Sequence, residues 1–467
     1  MCGVNMVDKI SSRIQQYNYN TINSVKNSAQ VQDTQPQAMQ PSFTASKSIS
    51  MIPANNTQNI YLKTELSSKD EKNKYTTITA RLDKNGRKIM ETLLKNGILL
   101  NSNSNDRSTV LDNLYKITTE PRAEGLNNDI ILKDTIATIA YPYLITQQFG
   151  DIPKEFEQKA IQANNANKSN LLDIKLGQDD INVEHSGTCV AASTEFKLAK
   201  QMPAEFARFA QELSSPKLSV SKTIGLKNLA DNTLNAVWLL NAFEVPFDMQ
   251  NFDNATLKFA PDKNAIIRAQ IQTVDKDPYE RTPLDVLMQS TFMQIGSQQS
   301  YNSLTDKRAG KFNQNDKGLI EFEKTFTESV VFDKNILSVT YQTVDENARL
   351  IGYETDLGTM KRHLVEALNQ GENVIIGYTQ TDANNIIVNG HEITIVGYKT
   401  DNKGKMTFIC NDTDDNIPKP IEYSEDYLLP KIHHAALPEK IVANDLNIVP
   451  SWIEGINMYK DMKKQAA

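Results

Sequence analysis

The sequence predicts an α+β fold in which a helix opened by a cysteine packs on an antiparallel sheet, preceded by a helical region and a disordered amino-terminal tail. Three observations predict it. Apolar residues recur at helical spacing between Ile89 and Ile295, Cys189 stands where a Gly-containing loop enters a run of small residues, and apolar strands follow the helix after Gly358. With 467 residues the chain is long enough for one large or two ordinary domains, so a sizeable core can be buried.

Residues 1–74 are rich in Asn, Gln, Ser and Thr, with few aromatics and no sustained period, and read as a disordered polar tail. Residues 75–165 read as a helical lead-in domain. Ile89, Leu93 and Leu94 share one face of a segment closed by Gly97, and Val110, Leu111, Leu114 and Ile117 follow the cap candidate Ser108 and stop at Pro121. A third stretch holds Ile136, Ile139, Ala140, Tyr143 and Leu144, where Pro142 predicts a kink.

The main domain is placed at 166–440. Cys189, Ala192, Phe196 and Ala199 mark a helix to about Gln201, and Pro203 opens another that ends before Pro216. Thr282-Pro283-Leu284-Asp285 is a cap with proline just inside it, followed by Leu287, Met288, Thr291, Phe292 and Ile295 at helical spacing. Met360, Leu364, Ala367 and Leu368 define a helix ending at Gly371. Strands are then predicted at 373–379, 391–398 and 406–411, with Asp401-Asn402-Lys403-Gly404 turning between the last two. Residues 441–467 read as a helical C-terminal tail.

Hydrophobic content of 39% with 23% charged residues is that of a soluble globular protein. A net charge of -7 and no basic stripe offer no attraction to phosphate backbones or anionic membranes, so neither is expected as a partner. The three cysteines, Cys2, Cys189 and Cys410, cannot form a disulfide framework and suit a reducing compartment. No run approaches the roughly 18 apolar residues of a membrane span, and no secretory h-region opens the chain. The expected location is cytoplasmic, with the uncleaved polar leader of an exported effector as the minority reading.

Ser186-Gly187-Thr188-Cys189-Val190-Ala191-Ala192-Ser193 puts a thiol at a helix N-terminus, where backbone N–H groups stabilise a thiolate and can donate to an oxyanion. Taken alone, Cys189 reads more readily as a small buried apolar residue. His391 changes the weighing, because Gly390-His391 opens an apolar strand and an imidazole there can take the thiol proton. Asn411 or Asp412, at the end of the next strand, can hold the ring.

The order Cys, His, then Asn or Asp resembles the papain-like cysteine protease superfamily, including bacterial peptidases related to bacteriocin-processing proteases and the calpain-type enzymes. Gly187-Thr188-Cys189 and the small residues after it look like the family's nucleophile loop and helix. Gly390-His391-Glu392-Ile393-Thr394-Ile395-Val396-Gly397-Tyr398 looks like its histidine strand, and Phe408 to Asp412 like its third-residue strand. The resemblance spans roughly residues 175–435. It implies Cys189 as nucleophile, His391 as base, and an orienting residue that papain-type members place at Asn411 and bacterial Asn-Asp-Pro members at Asp412, the preferred of the two.

Three departures stand out. The family's oxyanion glutamine, six residues before the cysteine, is Val183 here; Gln178 lies further upstream, and Asn182 or His185 are the possible substitutes. The Cys189 to His391 interval is longer than in compact members, and the excess is assigned to an insertion within 217–357. No Trp follows the third residue.

What the resemblance implies is a thiol hydrolase, a peptidase or isopeptidase acting through an acyl-enzyme on a peptide or protein, with no metal or organic cofactor. The alternatives are a transglutaminase-like acyltransferase and a catalytically inactive papain-like module that binds a protein partner. Asp412, Asp414 and Asn416 lack the glycine and the final Glu of a calcium loop, and His433-His434 reads as a surface pair without ligand-spaced partners.

Overall fold

Ser68 opens the first helix, α1 (Lys69–Ala80), through a reciprocal capping box in which its hydroxyl accepts from the Glu71 N–H and the Glu71 carboxylate accepts from the Ser68 N–H. The computed structural model describes residues 62–148, 187–225, 254–274, 280–297, 301–308, 318–319, 321–414 and 418–442, with isolated positions 158, 161 and 162. Ordered structure therefore begins inside the stretch read as a disordered tail. The reason is that one buried residue, Ile78, and the Lys74 to Asp112 ion pair at 2.9 Å dock an otherwise polar helix. The remainder of that tail, residues 1–61, lies outside the described residues, as does the predicted C-terminal helix beyond Val442.

The lead-in helices follow their apolar spacing. α2 (Lys84–Lys95) buries Met90 and Leu93, and Gly97 follows it with φ +71, a conformation that glycine adopts without strain. α3 (Val110–Thr119) buries Leu111, Leu114 and Ile117, but its cap is Thr109 rather than Ser108, whose hydroxyl accepts from Asn113 Nδ2 instead. α4 (Asn128–Ala140) ends before Pro142, which opens a 3-10 turn over Pro142–Leu144; the predicted kink is a break, since proline cannot supply the helical N–H.

Two helices follow Cys189. In α5 (Cys189–Gln201) every residue from Val190 to Ala199 is buried, and α6 (Pro203–Leu213) starts with proline at its first position. Buried on all sides, α5 is an interior helix. β1 (Val220–Gly225) and β2 (Asn254–Phe259) pair antiparallel, and α7 (Ala265–Val274) leads to α8 (Pro283–Gly296), opened by the predicted Thr282 and Asp285 capping box. Two-residue strands β3 (Tyr301–Asn302) and β4 (Lys307–Arg308) precede α9 (Glu321–Phe332).

The remaining elements are β5 (Ile336–Thr340), the pair β6 (Gln342–Val344) and β7 (Leu350–Tyr353), α10 (Leu357–Asn369), β8 (Val374–Thr381), β9 (Ile387–Thr400), β10 (Met406–Asn411), β11 (Ile421–Ser424), α11 (Glu425–Leu428), β12 (Ile432–Pro438) and α12 (Glu439–Val442). Among the described residues the largest sheet is antiparallel, in the order β11-β10-β9-β8-β12-β5, and α5 packs against β8 and β9. The architecture is α+β.

Part of the interval between Cys189 and His391 belongs to the core. α8 and α9 pack on α5, and β5 forms an edge of the main sheet by pairing Leu337 with Leu437 and Val339 with Ala435. Lys197 of α5 meets Glu328 of α9 at 2.6 Å with both side chains buried. The segment supplies core that α5 needs on its faces away from the sheet.

Among the described residues no helix is long and apolar enough to cross a membrane. Glu328→Gln removes the nearer partner of buried Lys197 and leaves it Glu372 at 3.7 Å, so it is expected to lower unfolding stability by about 2 kcal/mol. Replacing both partners, Lys197→Met with Glu328→Leu, should restore most of that in a denaturant titration. An unchanged midpoint in Glu328→Gln would show that α9 does not support α5.

Candidate active site

The loop entering α5 is held from outside. Thr188, with φ -90 and ψ 16, does not cap the helix; its hydroxyl donates to Gln289 Oε1 of α8 at 2.9 Å. The Gly187 N–H donates to the Asp306 carboxylate, which also accepts from the Tyr301 hydroxyl at 2.9 Å. Cys189 thus becomes the first residue of an interior helix while remaining only half-buried. The first backbone N–H groups of a helix have no intrahelical acceptor, and the earliest such bond here runs from the Ala192 N–H to the Thr188 carbonyl at 2.8 Å. The thiol therefore sits at the positive end of the α5 dipole.

His391 lies within β9, four positions from its start, rather than at the strand opening the sequence suggested. The strand begins earlier because β8 and β9 pair from Thr381 opposite Ile387 onward, placing Tyr378 directly across from His391. The imidazole Nε2 lies 2.6 Å from Asp412 Oδ1, and the Cys189 side chain lies close enough to the ring to favour its cation. With Nε2 engaged by the carboxylate, Nδ1 is the nitrogen left for sulfur.

Asp412 is the first residue beyond β10. Its Oδ1 also accepts the Asp414 N–H at 3.0 Å, which orients the carboxylate within its own turn. Asn411, the last strand residue, is opposite Thr394 and buried, and its Nδ2 finds no hydrogen-bond partner. It makes no bond to His391. Of the two candidates the geometry brings Asp412 to the histidine, because the strand ends between them after a register shift at Ile409/Cys410.

Electrostatics reinforce the arrangement. Burial disfavours the His391 cation, but the Asp412 charge and hydrogen bond, with the Cys189 contact, outweigh it and raise the ring well above the usual histidine range. Burial likewise disfavours the Asp412 anion, and His391 reverses that and lowers its carboxyl. Cys410 is fully buried, and burial pushes its thiol far up.

Sequence reasoning missed several neighbours. His433 and His434 are not a surface pair: β12 lies between β8 and β5, so both rings are buried, with their Nδ1 atoms 2.9 Å apart. His434 Nε2 meets Glu392 Oε1 at 3.0 Å, and Lys324 donates to Glu392 Oε2 at 3.1 Å. Burial opposes the Glu392 charge, and Lys324 and His434 overcome it, holding the carboxyl at about 2. Gly377 was the available signal, since a Cβ there would collide with the His434 ring. Gln289 and Asp306 carry no sequence signature. The oxyanion candidates Asn182 and His185 lie outside the described residues, as do Gln178 and Val183, the residue at the family's glutamine position.

No protein-family model, curated protein or solved structure matches the chain.

A raised histidine keeps its proton below its elevated pKa and loses it only as pH climbs through that value. The imidazole NMR signals of His391 should therefore remain those of the cation well above the ordinary pKa of about 6.5. Asp412→Asn should bring the titration down toward that value. A wild-type midpoint near 6.5 would mean that the carboxylate does not govern the ring.

Proposed function

We propose that this chain is a thiol-dependent hydrolase of papain-like type, a peptidase or isopeptidase. The observation that carries the reading is the continuous contact from Cys189 through His391 to Asp412 at the N-terminus of an interior helix packed on an antiparallel sheet. A thiol alone is a poor nucleophile at neutral pH; an adjacent imidazole held by a carboxylate makes it a thiolate beside an imidazolium.

In this mechanism the Cys189 sulfur attacks the substrate carbonyl carbon, and the developing oxyanion is met by N–H groups at the start of α5, that of Cys189 first. His391, protonated, gives its proton to the departing amine as the C–N bond breaks, leaving a thioester on Cys189. Water then attacks the thioester, His391 takes its proton, and the acid leaves as the thiolate–imidazolium pair re-forms. Asp412 acts on the chemistry only through His391: it fixes the tautomer and offsets the imidazolium charge. No step calls on a metal or an organic cofactor.

A substitution in the family's oxyanion position, Val183, favours the second reading, a protein-binding module in which the cleft no longer turns over. An electrophilic peptide probe, read by mass spectrometry, separates the two. The hydrolase reading predicts a single adduct on Cys189 and hydrolysis of a fluorogenic peptide library lost in Cys189→Ala and His391→Ala. Asp412→Asn should slow turnover by about a hundredfold or more, as expected when the ring loses its orienting charge. Full biological activity in Cys189→Ala would favour the binding module.

A further inference from the structure

We infer that Thr146, Gln147 and Gln148, within the region read as a helical lead-in domain, form a strap of positioning residues that holds the Cys189 loop and the Asp412 turn in register. The inference rests on the hydrolase reading of the same site. On one side the strap grips the turn that follows β10. The Gln147 N–H donates to the Thr413 carbonyl at 2.9 Å, the Thr146 hydroxyl to that carbonyl at 3.2 Å, and the Thr413 hydroxyl to Gln147 Oε1 at 3.1 Å. Both glutamine Nε2 groups donate to Asp414 Oδ1 at 2.9 Å, and Gln148 Nε2 also to the Asp414 carbonyl at 3.0 Å. Asp414 in turn gives its N–H to Asp412 Oδ1, so the strap is two residues from the carboxylate that orients His391.

On the other side it reaches the nucleophile. Gln289 Nε2 donates to the Thr146 carbonyl at 2.8 Å, while the same side chain's Oε1 accepts from Thr188, the residue before Cys189. The Arg281 N–H donates to the Gln148 carbonyl at 3.0 Å, tying the strap to the chain entering α8. Gln289 and Thr413 are fully buried, so these bonds are exchanged with no competing water, and losing one leaves a polar group without a partner. Cys189 and Asp412 come from elements far apart in the chain, yet three consecutive residues bridge the turn next to one and the loop next to the other. A misplacement of about 1 Å is enough to weaken a catalytic contact, which is what such a bridge prevents.

The test is the pH dependence of Cys189 alkylation on the full chain in wild type, Gln148→Ala, Thr146→Val and Thr146→Ser, with Cys410 labelling as the control for folding. The strap predicts labelling at about pH 5–6 in wild type. It should be about fivefold to tenfold slower in Gln148→Ala and Thr146→Val, each of which loses two hydrogen bonds of modest net worth, and near wild type in Thr146→Ser, which keeps the hydroxyl. Cys410 should stay unlabelled throughout. Unchanged low-pH rates in folded Gln148→Ala and Thr146→Val would overturn the strap and leave the hydrolase reading standing. No low-pH labelling in wild type would remove the hydrolase reading and the strap with it. Labelling of Cys410 in both variants would make these residues a support of the whole fold and overturn the positioning role.

Discussion

An imidazole has two nitrogens, and at this site the Asp412 carboxylate takes one of them at 2.6 Å, in a pair that is mostly but not wholly shielded from solvent. Everything else in the neighbourhood follows from that contact. Nδ1 is left available to the thiol, and the ring keeps its charge against a burial that would otherwise strip it. The contact needs β10 to end at Asn411, because one more residue of regular strand would turn Asp412 to a fixed face and hold it to the ladder.

The partner constraint is the position of sulfur. α5 is buried on every side, so its first residue is placed by packing on α8, α9 and the sheet, and by the side-chain bonds of Gln289 and Asp306 to the loop before it. Asp306 meets this demand with a left-handed backbone, φ +52, which Asp tolerates better than most residues. Behind the site, Glu392 projects from the strand position after His391 and is neutralised by Lys324 and His434, so the histidine strand is anchored by buried charge pairs on its far side.

Much of this was legible in the sequence because it rests on local rules. Cys189–Gln201, Pro203–Leu213 and Pro283–Gly296 begin at the predicted positions, since proline at a helix start and the Thr282 to Asp285 box act within one turn. The strand run from Val374 to Asn411 follows from short apolar, β-branched runs and the Asp401–Gly404 turn. What was not legible depends on partners distant in sequence. Asn411 and Asp412 are equivalent on paper until the strand end is known. The Gln289 to Thr188 bond joins residues 101 positions apart, and the Thr146 to Thr413 bond residues 267 apart. The interval read as an insertion hides core helices, because α8 and α9 look like any buried helices until α5 is seen between them and the sheet. His433-His434 looked like a surface pair because nothing local marks β12 as an interior strand.

The central claim is that Cys189 and His391 form a charged pair sustained by Asp412. The most direct measurement is the far-ultraviolet thiolate absorbance, wild type minus Cys189→Ala, followed from about pH 4 to 9. The account predicts a thiolate signal present at about pH 5–6 and abolished there by His391→Ala. A signal that emerges only near about 8.5, as for an isolated thiol, would contradict it.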